Sequence, residues 1–125
     1  VTKNVVNQKQ TEYWNGEAGS EWVAKQEKID KEIGPLGLAM LDRAEIIAGE
    51  RVLDAGCGCG GTTLEIARRI GSVGHVTGVD LSAPMLTHAG KRAQEAGLDN
   101  MRFIQADTQT HDFGTVVCHR SEQLM

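Results

Sequence analysis

The run Asp54-Ala55-Gly56-Cys57-Gly58-Cys59-Gly60-Gly61 is the densest set of chemically informative residues in the chain. Glycine at this frequency permits a tight turn and lets a ligand touch bare backbone. If a helix opens just after the turn, its free N–H groups favour a negatively charged or hydrogen-bond-accepting ligand group. The spacing alone is ambiguous. Gly56, Gly58 and Gly61 fit G-x-G-x-x-G, whereas Gly56, Gly58 and Gly60 fit G-x-G-x-G. Two downstream carboxylates narrow the choice. Asp80 closes a short apolar run, where an acid can accept hydrogen bonds from both hydroxyls of a ribose. Asp107 closes another, where an acid can accept from an adenine exocyclic amine while the Thr108 N–H donates to the ring. The plainer roles are a helix cap for Asp80 and a solvated strand end for Asp107, but Ser82 already offers the cap.

These residues need elements that bring them together. Val52 to Ala55 reads as a short buried strand, residues 62–70 as a helix stopped by Gly71, and His75 to Val79 as a second strand. Leu64, Ala67 and Ile70 are free to face a sheet. Ser82 caps a helix over 83–96, with Leu86, Ala89, Ala93 and Ala96 inward and Gly97 ending it. Met101 to Ala106 is a third strand and Val116-Val117 a fourth. Strands separated by helices of 10–15 residues imply parallel pairing through right-handed crossovers. Upstream, Ser20 is an N-cap for a helix over 21–33, with Trp22, Ile29 and Ile33 on one face. Gly34-Pro35 breaks that helix and Pro35 opens another, whose Leu36, Met40, Leu41, Ala44 and Ile47 recur at helical spacing up to Gly49. Tyr13, Trp14 and Trp22 either close over a ligand or pack the helices together.

Composition bounds the function. A chain of 125 residues is one domain, here a helical lead-in over 1–50 and an α/β unit over 51–125. Gly numbers 15, well above the usual share of about 7%, with the excess concentrated between Gly56 and Gly78. The net charge of −4 and the lack of a Lys/Arg stripe disfavour a nucleic-acid partner. No apolar run spans a membrane and no signal-peptide order opens the chain, so a cytoplasmic location is expected. Cys57 and Cys59 form C-x-C, not the C-x-x-C of zinc sites, and His111 with Cys118-His119 is too sparse a cluster to argue for a metal.

Three segments in register resemble the class I S-adenosylmethionine-dependent methyltransferases. Val-Leu-Asp-Ala-Gly-Cys-Gly-Cys-Gly at 52–60 is similar to that family's first motif. Gly-Val-Asp-Leu-Ser-Ala-Pro-Met-Leu at 78–86 resembles its ribose-binding segment, and Phe-Ile-Gln-Ala-Asp at 103–107 its adenine-binding one. Tyr13-Trp14-Asn15-Gly16 and Trp22 are similar to the lead-in of bacterial small-molecule methyltransferases. The resemblance implies a Rossmann-like three-layer parallel sheet of order 3-2-1-4, the first half of the methyltransferase fold. It implies that Asp54, Gly56, Cys57, Gly58 and Gly60 surround the methionine end of S-adenosylmethionine. Asp80 would hold the ribose, Leu81 and Met85 would flank the adenine, and Asp107 with Thr108 would read its edge.

After Asp112 the pattern departs from that family, and strands five to seven have no counterpart. Val116-Val117 would then be an edge strand, which invites pairing with a second copy and predicts a homo-oligomer. The expected activity is methyl transfer to a small-molecule acceptor, with no assignable catalytic base. The alternatives are a truncated, silent S-adenosylmethionine-binding module and an NAD-binding half-domain.

Overall fold

In a computed structural model, residues 7–111 are described. Three helices come first, α1 (Gln8–Asn15), α2 (Glu17–Ala24) and α3 (Gln26–Ala44). Strand β1 (Arg51–Ala55), helix α4 (Gly61–Ile70), strand β2 (His75–Asp80), helix α5 (Ala83–Glu95) and strand β3 (Met101–Gln105) follow. The strands are parallel and lie in the order β1-β2-β3, the expected 3-2-1 half of a Rossmann-like α/β fold. Val116-Val117, the expected fourth strand and oligomer edge, lies outside the described residues, as do Cys118 and His119. Among the described residues no helix is long and apolar enough to cross a membrane.

The register explains which side chains meet. Val52, Val76 and Met101 lie side by side on one face of the sheet. They pack with Ile66, Ala67 and Ile70 of α4 and Leu41 of α3 to form the core. Two residues further on, Asp54, Gly78 and Phe103 form the next row of that face. A Cβ placed on Gly78 would stand 2.8 Å from the Phe103 ring and 2.9 Å from Cys57 Sγ. A Cβ on Gly60 would stand 3.0 Å from Ala89 of α5 and 3.4 Å from the same ring. Both crossover helices therefore cover one face, as right-handed crossovers advancing in one direction require.

The helix faces around the sheet largely follow the expectation. Leu64, Ala67 and Ile70 are buried, as are Leu86, Ala89 and Ala93. Ser82 Oγ accepts from the Met85 N–H at 3.3 Å, and Gly71, at φ 72°, ends α4. Ala96 is exposed instead of inward, because α5 ends at Glu95 and Ala96 is already its cap.

The N-terminal helices depart more. Ser20 is not a cap but lies exposed within α2, and the chain does not break at Gly34-Pro35. Helix α3 runs through Pro35, although proline there lacks a helical N–H and costs roughly 3 kcal/mol. Both ends of that helix are anchored. Leu41 and Ala44 are buried at one end, and Asp30 pairs with Arg92 of α5 near the other. Its C-cap is Glu45, left-handed at φ 52°, and Gly49 instead turns the chain into β1, its N–H donating to the Ile70 carbonyl. Ile47 is exposed.

The tight fit over Gly78 has a measurable consequence. Gly78→Ala inserts a methyl between two packed side chains and should destabilise the fold by about 1–3 kcal/mol. Chemical denaturation of the variant against wild type reads that loss directly.

Candidate functional site

The carboxyl ends of β1, β2 and β3 lie side by side, and the residues just beyond them form one ledge. Gly56, Gly58 and Gly60 hold φ values of 71°, 56° and 84°, a left-handed turn at every second residue that only glycine adopts cheaply. The coil is tied down by its own N–H groups. Those of Gly56 and Cys57 both donate to the Val79 carbonyl, at 2.7 and 3.0 Å, and that of Gly60 donates to the Cys57 carbonyl at 3.0 Å. The Gly58 N–H donates to Asp80 Oδ2 at 2.9 Å, while Asp80 Oδ1 accepts from the Ser82 N–H at 2.9 Å. The loop is thus less of an open donor nest than its glycine content suggests.

Beneath it, Asp54 points to the helix-covered side and is 5% exposed. Its Oδ2 accepts from Thr63 Oγ1 at 2.7 Å. Burial is the main reason its carboxyl is raised to about 6; the nearby Asp80 charge pushes the same way and the Thr63 bond opposes both. Burial also pushes the Cys57 thiol far up, with Asp54 and Asp80 adding to it. The Cys59 thiol rises to about 11, again through burial, against the pull of Arg92. Both sulfurs remain neutral thiols at physiological pH and are poor nucleophiles and poor metal ligands. Among the described residues no group of three or more His, Cys, Asp or Glu is placed to hold a metal.

Past β3, Asp107 Oδ1 accepts from the Gln109 N–H at 2.9 Å and Oδ2 from the Asn7 side-chain amide at 2.6 Å. The Ala106 N–H donates to the Asp80 carbonyl at 3.0 Å, which fixes the spacing between the two acids' backbones. A cavity of about 910 Å³ opens along this ledge. Of the expected site residues, Gly56, Cys57, Gly58, Asp80, Leu81, Met85, Asp107 and Thr108 all border it. Asp54 and Gly60 do not; Asp54 is buried near the end of β1, and Gly60 is the buried cap residue before α4.

The opposite wall comes from the N-terminal helices: Trp14, Trp22, Ile29, Ile33, Leu36 and Met40. The indoles of Trp14 and Trp22 meet edge to face at 5.8 Å. Tyr13 meets Trp14 edge to face at 5.1 Å but is itself exposed. Asn7 carries no signal in the sequence, since nothing in the spacing marks a partner a hundred positions away. Asn15 is a tether that local sequence likewise does not mark. The Asn15 amide donates to the Leu81 carbonyl at 2.7 Å and its Oδ1 accepts from the Ala83 N–H at 2.8 Å. With the Ser82 hydroxyl donating to the Trp14 carbonyl at 2.6 Å, these bonds pin α1 to the turn after β2.

This geometry can be set beside known proteins. Residues 52–121, more than half of the chain, match a family described as the methyltransferase domain. The chain belongs to the S-adenosylmethionine-dependent methyltransferases. It is 40% identical over 79 residues to aklanonic acid methyltransferase DauC of Streptomyces sp. (strain C5), covering 63% of this chain and 36% of that one. It is 37% identical over 84 residues to the 23S rRNA (uracil(1939)-C(5))-methyltransferase RlmD of Psychrobacter arcticus, covering 67% and 16% respectively. Among solved structures it resembles coclaurine N-methyltransferase bound to N-methylheliamine and SAH, with a TM-score of 0.56 and 34% identity. That match covers 62% of this chain and 24% of the other. This methyltransferase chain therefore spans about a third of the DauC length and less of the others.

The buried Asp54 makes a testable claim about stability. A carboxyl raised on folding favours the protonated form, so its full contribution is present below about pH 4 and lost as pH rises through about 6. The loss should be on the order of 3 kcal/mol between those limits. Asp54→Asn should flatten that decline, measured as denaturant midpoints from pH 4 to 7.

Proposed function

We propose that this methyltransferase chain binds S-adenosylmethionine across the ends of β1, β2 and β3, and that the protein containing it methylates a small molecule. The observation that carries the reading is that Asp80 and Asp107 border one cavity with the loop of Gly56 and Gly58 beside them. A carboxylate can accept about four hydrogen bonds. Asp80 uses one at each oxygen for the Gly58 and Ser82 N–H groups, leaving acceptor capacity for the two ribose hydroxyls. Leu81 and Met85 offer apolar contact for a flat base, and Asp107 with Thr108 an acceptor and a donor for its edge. When bound, the cofactor supplies an electrophilic methyl on a sulfonium; the acceptor brings the nucleophile, and the chain's share is orientation and exclusion of water.

The loop favours this ligand over a dinucleotide. A dianionic pyrophosphate wants free N–H donors, whereas the Gly56, Cys57, Gly58 and Gly60 N–H groups are engaged internally and a second carboxylate lies beneath. A cationic sulfonium and ammonium suit that surrounding better. For the acceptor, the wall of Ile29, Ile33, Leu36 and Met40 with two indoles favours a compact apolar molecule. The rRNA methyltransferase among the relatives means that this half of the fold serves larger acceptors too. The net charge of −4 and the apolar wall weigh against one here.

The test is calorimetric titration of S-adenosylhomocysteine and, separately, NAD. Wild type should take the first and ignore the second. Asp80→Asn keeps one acceptor oxygen but loses the charge, and should weaken binding by roughly 1.5–3 kcal/mol. Equal affinity in the two proteins would remove the ribose assignment.

A further inference from the structure

Helices α3 and α5 face each other through a two-rung polar ladder. Gln26 and Asp30 stand one turn apart on α3, and His88 and Arg92 one turn apart on α5. His88 Nε2 lies 2.9 Å from Gln26 Oε1, an oxygen that can only accept, so that ring nitrogen carries the proton in this bond. Arg92 NH2 donates to Asp30 Oδ2 at 2.9 Å, and the Gln26 amide donates to the same oxygen. Arg92 makes one bond more. Its NH1 donates to the Cys59 carbonyl at 2.8 Å, inside the glycine-rich loop. The first residue of α4 is held close as well, since a Cβ on Gly61 would stand 3.3 Å from Asp30 Oδ1.

We propose that Arg92 is a positioning residue for the cofactor loop. Its planar fork grips the Cys59 carbonyl and the Asp30 carboxylate together, so the loop holds this shape only while α3 is docked. The consequence is coupling between the two walls of the cavity. The glycine loop, Asp80 and Asp107 line the cavity from the sheet; Ile29, Asp30 and Ile33 line it from α3, and Arg92, which also borders it, joins the two. A guanidinium suits this task and an ammonium does not, because two acceptors in different directions need a rigid fork of donors. The side chain of Arg92 is 22% exposed and that of Asp30 39%, so the pair is partly shielded from the screening that weakens surface ion pairs. The inference rests on the reading above, in which this loop belongs to the cofactor site.

The experiment uses four variants: Arg92→Lys, Arg92→Ala, Asp30→Ala and the double Asp30→Ala/Arg92→Ala. A fifth, His88→Ala, removes the rung that touches α3 but not the loop. Amide hydrogen exchange over residues 56–62 is measured without ligand, and the dissociation constant for S-adenosylhomocysteine by calorimetry. Both Arg92 variants should speed loop exchange and raise the dissociation constant by about tenfold, with lysine failing to rescue. Asp30→Ala should move both quantities the same way by several-fold. The double variant should be no worse than Arg92→Ala, because the two residues act as one unit. His88→Ala should leave both within about twofold of wild type. The proposal is overturned if His88→Ala loosens the loop as much as Arg92→Ala does, if Arg92→Lys behaves as wild type, or if the Asp30 and Arg92 effects simply add. Loop exchange needs no ligand, so a wild type that ignores S-adenosylhomocysteine sinks the cofactor reading while the exchange data still decide the role of Arg92.

Discussion

A single carboxylate, that of Asp80, holds the ledge together. One of its oxygens takes the Gly58 N–H from the loop after β1 and the other takes the Ser82 N–H from the turn after β2. Two strand ends are thereby set at a fixed distance by one rigid planar group. A third is joined to them through the backbone, where the Ala106 N–H meets the Asp80 carbonyl. The parallel register makes this possible, since it brings Ala55, Val79 and Ile104 level before the chain leaves the sheet. Neighbouring loops in such a sheet all emerge on one side, and the crevice there is where open α/β sheets bind ligands.

The electrostatics of the ledge follow from the same arrangement. Alternation along β1 puts Asp54 on the same helix-covered face as Val52, where Thr63 of α4 is its side-chain partner. An acid held there beside a second carboxylate resists ionising, and the thiols above it stay protonated. The glycine loop lies against two carboxyl groups, and its Gly56, Cys57, Gly58 and Gly60 N–H groups are engaged in internal bonds. The loop therefore offers fewer free donors than a phosphate cradle does.

The sheet half of the molecule was legible because each local signal agrees with the packing. Val52 to Ala55 is a short, continuously buried strand, Ser82 caps α5, and Gly71 stops α4. The alternation of strand and helix then leaves few topologies. The N-terminal third was less legible because tertiary anchors overrule local preference there. Pro35 is a helix breaker by itself, yet α3 continues past it because Leu41 is sunk in the core and Asp30 is bonded to α5. Ser20 looks like a cap, but Gly19 beside it must sit in a helix pressed on Ser82 and Pro84, where a Cβ would come within 2.8 Å of the Ser82 hydroxyl. The contacts of Asn7 with Asp107 and of Asn15 with Leu81 join distant parts of the chain. No periodicity encodes such pairs; they exist only once the helices have docked.

The paired indoles have an optical consequence. The chain has two tryptophans, and both border the cavity in edge-to-face contact. All of its indole emission therefore originates at residues that line the pocket. Any guest that displaces water from those rings, or shifts α1 against α2, changes the colour of that light.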